Sequence, residues 1–305
     1  MQYTWNGIDG SYTDGANWTP LGVPLYGSDT SALIQSGTIT LSGAEPNGIR
    51  LTLAGTSAAT QPNLVLDNAA LGPDVRIELI PPYNAVTGQE PSLGYATITV
   101  DGYDTNGATI VLGGQETNPD FLTIAIAPNG QLNQEGTVDV YNSSRLQVNG
   151  TGQAPATLNN DGTINMGGGF ATISADVIGS GTIAFLPYST GSGSVEFGGA
   201  VSAAQHISFN QTSSAEVRID DLSAFHGILD GFKEPYTSVT IAGTQATAAY
   251  FAQIAPDSGA LLLLNGQEVV GALTVTGAHA SNAYGAVSNP DGSTTVMPVF
   301  PAPLG

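Results

Sequence analysis

The sequence predicts an all-β chain wound as a parallel β-helix, or β-solenoid, with irregular coils and an N-terminal capping segment. Three observations carry this reading. Residues 158–200 are short apolar pulses, such as Ile164, Ile173, Ile183 and Val195, cut by Gly, Asn, Asp and Ser, and none has the spacing of an amphipathic helix. A Gly-Thr step followed by a β-branched residue recurs at Gly136-Thr137-Val138, Gly162-Thr163-Ile164 and Gly181-Thr182-Ile183, separations of 26 and 19 residues. Each separation suits one coil, and a coil buries its inward row only by stacking on its neighbours. Finally, Ile49–Leu53 and Val75–Leu79 alternate apolar and polar residues at the period of a strand with one face inward.

Composition sets the bounds. The chain has 305 residues, of which 41% are hydrophobic, ample for a core. Only 10% are charged, so the polar surface must come from Thr, Ser, Asn, Gln and Gly. These residues suit strands and turns. The net charge is −20, from 25 acidic and 5 basic residues. The bases, Arg50, Arg76, Arg145, Arg218 and Lys233, are scattered singly. With no basic patch, nucleic acid and anionic lipid are poor partners. The acidity reads as solubility through self-repulsion, or as divalent-cation binding or salt-dependent assembly. There is no cysteine, which excludes disulfides, thiolate catalysis and Cys-based zinc sites. No membrane insertion is expected, since the apolar run Ala260–Leu264 is too short to span a bilayer. The N-terminus has neither a basic n-region nor an apolar h-region, so export would use a signal removed, located elsewhere or of another kind.

Three regions are expected: a cap with the first strands over 1–43, solenoid coils over 44–241, and a C-terminal hairpin or cap region with a Pro-rich tail over 242–305. In the first, the only tryptophans, Trp5 and Trp18, bracket Asp9-Gly10 and Asp14-Gly15, and a strand pair follows at Ser31–Gln35 and Thr38–Leu41. Trp5-Asn6-Gly7, Asn17-Trp18, Val23-Pro24 and Ser28-Asp29 resemble the opening of bacterial autotransporter-like β-solenoid surface proteins, passenger-type regions sometimes found upstream of a Hint domain. The Gly-Asp step of that pattern is shifted here to Gly27-Ser28-Asp29. The resemblance implies that the two indoles cover the open end of the first coil. The rival reading is a glycan site built on Trp5 and Trp18.

A second stretch of resemblance runs through Gly199-Ala200-Val201, Val217–Asp220 and Ala224–Phe232. It implies Phe225 and Phe232 inside, Gly227 and Gly231 at corners, Ile228 in the apolar place and Leu229 where a polar residue is commoner. Short helices are expected near 222–226 and over the Ala-rich 245–254. Ala260–Leu264, Asn265-Gly266 and Glu268–Val275 read as a hairpin. The segment from Ile80 to Pro91 breaks the rhythm and is expected to project as a loop.

Candidate chemistry is sparse. His206, His226 and His279 are far apart in sequence, and Asp220-Asp221 is the only adjacent acidic pair. Asp221 is placed to cap the residues after it. Polysaccharide-degrading β-helices pair carboxylates with a base, and five bases are few for that task. No catalytic residue is assigned and no enzymatic activity is expected. Calcium is the one cofactor considered, with Asp9, Asp14 and Asp29 as candidate ligands and Asp101 and Asp104 flanking another turn; neither the EF-hand nor the Gly-Gly-x-Gly-x-Asp pattern occurs. The expected function is that of a structural or adhesive extracellular protein, secreted or on a bacterial cell surface, acting in adhesion, matrix or self-assembly. Its partners would be further copies, as homo-oligomer or filament, and surface polysaccharide. The alternatives are a carbohydrate-binding module and, third, a polysaccharide-degrading enzyme.

Overall fold

In the computed structural model, Thr137, Thr163 and Thr182 lie side by side in register on successive parallel strands, Thr137–Tyr141, Thr163–Gly167 and Thr182–Phe185. The two separations of the Gly-Thr repeat are therefore coil lengths. Glycine precedes each threonine because the coils touch there: a Cβ on Gly162 would collide with the carbonyl oxygen of Gly136, and one on Gly181 with that of Gly162. The structure describes residues 1–24, 30–43, 48–55, 61–79, 94–113, 119–152, 154–187, 192–209, 214–233, 236–277 and 284–299.

The chain is a β-solenoid of about eight turns, 61% strand. No α-helix occurs among the described residues; a single 3-10 turn spans Gly15–Asn17. Strands stack into sheets of 14, 12 and five strands. One full coil runs Thr137–Tyr141, Arg145–Gly150 and Thr157–Asn160, one strand in each sheet, before Thr163 begins the next. In the later coils the third face shrinks to single bridges, Val177 to Val201 and Val201 to Phe225. No helix among the described residues is long and apolar enough to cross a membrane.

Inward rows form one continuous core. Toward the C-terminal end it becomes a column of rings: Phe185 on Phe209 at 5.2 Å, Phe209 on Phe232 at 5.1 Å, and Phe232 on Tyr284 at 5.5 Å. The Tyr284 hydroxyl donates to the Phe232 carbonyl (2.7 Å), and burial pushes the phenol well above its ordinary pKa. An inward amide ladder, Asn106, Gln134 and Asn160, stacks in register inside the five-stranded sheet, with Asn106 Nδ2 donating to Gln134 Oε1 at 2.6 Å.

Several local expectations are corrected. Ala248–Ala255 is a strand, paired antiparallel with Ser258–Asn265, where alanine content suggested a helix; sheet pairing overrides propensity. Residues 222–226 form a turn ending in an isolated bridge, not a helix. Leu229 is buried beside Ile207 while Ile228 lies on the outer face beside His206, the reverse of the expected assignment, because Leu229 shares the pleat phase of Ile207. Thr30–Ile34 and Thr38–Ser42 do not pair with each other: the chain turns a corner between them into a different sheet. Phe225 and Phe232 are buried, and Gly231 has φ +67°. The hairpin over Ser258–Asn265 and Glu268–Thr276 forms, with Gly266 (φ +63°) at the first corner position. Its second strand continues the parallel stack on Ile228–Asp230. Tyr284–Ser288 and Thr294–Pro298 add an antiparallel end to the 12-stranded sheet, the latter pairing with Thr237–Ile241. The expected loop from Ile80 to Pro91 lies outside the described residues.

Candidate functional site

At the N-terminal end the backbone pairs Trp5 directly with Trp18, antiparallel. The indoles meet edge to face, centroids 4.9 Å apart at 71°, and Tyr12 meets Trp18 similarly at 5.3 Å. Trp18 Nε1 donates to the Tyr12 carbonyl (2.9 Å) and Trp5 Nε1 to the Ile8 carbonyl (2.7 Å). Trp18 is 0% exposed and Trp5 3%, so neither indole offers an open face for a sugar ring. The nearby aspartates serve the backbone. Asp9 accepts from Thr38 N at 2.7 Å, and Asp14 caps the Gly15–Asn17 turn by accepting from Ala16 N at 3.0 Å. Asp29 lies outside the described residues. Among the described residues, no group of three or more His, Cys, Asp or Glu side chains converges as a metal site would require.

Asp220, Asp221 and His226 line a cleft of about 530 Å³ between the turn at 221–225, Ala242–Thr244 and Val270–Ala272. Asp221 is occupied locally: Oδ1 accepts from the Ser223 hydroxyl (2.6 Å) and Ser223 N (2.9 Å), and these bonds hold its carboxyl below the ordinary carboxylate value. Asp220 accepts from Arg218 Nε at 3.1 Å, and the same nitrogen lies 3.2 Å from Glu196. The cation nearest the acidic pair is thus already matched by two carboxylates. His206, one coil away from Asp230, places Nδ1 2.5 Å from its Oδ2, and the Thr276 hydroxyl donates to the other oxygen. This dyad fixes the imidazole on the outer face of the 14-stranded sheet. Coil stacking creates it from residues 24 apart, which no local motif signals. His279 lies outside the described residues.

The most distinctive surface feature was not visible as a motif. On the outer face of the 12-stranded sheet, Tyr95, Phe121, Arg145 and Phe170 sit in register on four successive strands. Tyr95 and Phe121 stack at 5.1 Å and 13°. The Arg145 guanidinium lies 5.6 Å from the Phe121 centroid and 5.8 Å from that of Phe170, a cation between two rings. Phe170 is 41% exposed. Arg50 and Arg76 both pair with Glu78, and Arg218 with Glu196 and Asp220. Among the described residues, Arg145 is therefore the arginine with no carboxylate partner. Beside this row runs a polar one, Thr97, Thr123, Gln147 and Thr172. The signal in the sequence was the separation of Phe121, Arg145 and Phe170 by 24 and 25 residues, close to the coil length.

No family model, curated protein or solved structure matches the chain.

Proposed function

We propose that this is a structural or adhesive extracellular protein, secreted or held on a bacterial cell surface, whose long side faces are its working surface. The observation that carries the reading is the outward row Tyr95–Phe121–Arg145–Phe170. Aromatic residues and arginine are the residue types that anchor interfaces, and here Arg145 and Phe170 are exposed while Tyr95 and Phe121 are half-buried. They stand here on rigid stacked strands, flanked by hydroxyl and amide side chains that hydrogen-bond without charge. The unmatched guanidinium in a chain of net charge −20 suits an anionic group on the partner, as on an acidic surface polysaccharide. Tyr95 and Phe121 cover one another's faces, so contact would be made through their ring edges, the exposed Phe170 ring and the Arg145 N–H groups.

The test is retention of the fluorescently labelled chain on bacterial cells and on arrays of neutral and acidic polysaccharides. Wild type should be retained, and Arg145→Ala with Phe170→Ala should lose most of that retention while keeping its circular dichroism spectrum. Equal retention of the variant would remove this row as the adhesive surface. Turnover of any arrayed polysaccharide would point to the enzymatic alternative.

A further inference from the structure

The two ends of the solenoid are unlike. At the N-terminal end the outermost strands of the two large sheets are Trp18–Thr19 and Gly10–Ser11, two residues each. Edges that short offer little backbone to a passing strand; the 14-stranded sheet adds Gln2 and Tyr3, which Trp18–Thr19 does not pair, and buried indoles close the core beside them. Among the described residues, the outermost strands at the C-terminal end are Ala248–Ala255, eight residues, and Tyr284–Ser288, five, which lie beside each other with Phe251 against Tyr284. Ala248–Ala255 reads AAYFAQIA and Tyr284–Ser288 reads YGAVS. Neither contains a charged residue or a proline. Lys, Pro and inward charge, which normally blunt an edge, are missing from both; a β-bulge between Gln253 and Ala255 leaves Ala248–Gln253 as the regular part of the longer one. Ile254 is 77% exposed, and Tyr250 and Val287 are exposed too.

We infer that the C-terminal end is a pairing surface for a second copy of this chain, joined edge to edge through Ala248–Ala255 about a two-fold axis. An antiparallel pair of identical strands is self-complementary, since a two-fold sets the Ala248 end of one against the Ala255 end of the other. The regular stretch Ala248–Gln253 on each side can exchange about six backbone hydrogen bonds and join two 14-stranded sheets into one. The uncharged edges let two molecules of net charge −20 approach where repulsion is weakest. Because the opposite end is blunt, the association closes at two copies; a head-to-tail contact would need a long edge at both ends. The inference rests on the assembly part of the reading above, but its readout is mass, so either can fail without the other.

The experiment is sedimentation of the full chain at tens of micromolar in about 0.15 M and 0.5 M salt. Twice the chain mass is expected, with no larger species and a greater dimer fraction at the higher salt. Tyr250→Glu with Ile254→Glu should reduce the mass to that of one chain. Ile8→Glu with Leu21→Glu, the same added charge at exposed positions of the other end, should leave the dimer intact. Circular dichroism and thermal melting check that both variants keep the fold. A monomeric wild type, filaments, or a dimer dissociated by the N-terminal pair but not by the C-terminal pair would each overturn the inference.

Discussion

At the scale of the residue, two buried groups give the clearest expectations. Trp18 is wholly enclosed between Trp5 and Tyr12 and satisfies its own N–H. Trp18→Ala should cost about 3–5 kcal/mol, as deletion of a packed large aromatic does, read by chemical denaturation. Asp104 is 0% exposed, accepts from Ala69 N at 2.6 Å, and leaves its second oxygen without a hydrogen-bond partner. Burial raises its carboxyl above the ordinary 3.8; the Ala69 bond opposes the shift, and the nearby Asp67 and Asp101 charges add to it. The folded chain then holds this proton to higher pH than the unfolded chain. Stability is favoured below the unfolded value and declines as pH rises through the folded one. Asp104→Asn removes this contribution. Urea melts at about pH 4 and pH 7 should show a smaller loss across that range in the variant than in wild type.

At the scale of the element, the determinant is close contact between coils. Gly136, Gly162 and Gly181 stand at the same corner of successive coils, with no room for a Cβ against the carbonyl below. Gly162→Ala must move backbone, and a cost of about 1–3 kcal/mol is expected, measured by denaturation. Ala at a spacious glycine should be far milder: nothing lies within 4 Å of a Cβ on Gly243, although its φ of +62° adds some strain. The outward positions of the same coils are permissive. This is how one sheet face can carry Thr97, Thr123, Gln147 and Thr172 and also the ring row around Arg145.

At the scale of the whole molecule, charge dominates. Twenty-five acidic residues face only five basic ones, and three of those are committed to local carboxylates. Compactness is opposed by self-repulsion that salt screens. The melting temperature should therefore rise by roughly 2–4 °C between about 0.05 M and 0.5 M sodium chloride, the shift that about 1 kcal/mol produces in a large domain. A flat or falling trend in a thermal scan would show that local ion pairs, such as those on Glu78, outweigh the global repulsion.

The sequence by itself determined the all-β class, the coil length and most of the inward positions of the core. These depend on short-range quantities: alternation along Ile49–Leu53, glycine before threonine at each corner, and apolar residues such as Phe225 and Phe232 at inward phases. Local composition misled where sheet pairing overrides propensity, as in Ala248–Ala255, and where pleat phase is ambiguous, as at Ile228 and Leu229. Only the tertiary structure decided which distant residues became neighbours. Stacking set Arg145 between Phe121 and Phe170, His206 on Asp230, and Arg50 and Arg76 on Glu78, because register converts a separation of one coil into the spacing of adjacent strands. It also left one end with two-residue edges and the other with an uncharged strand of eight. Edges are defined by which strands lack a neighbour, a property of the finished stack that no single segment carries.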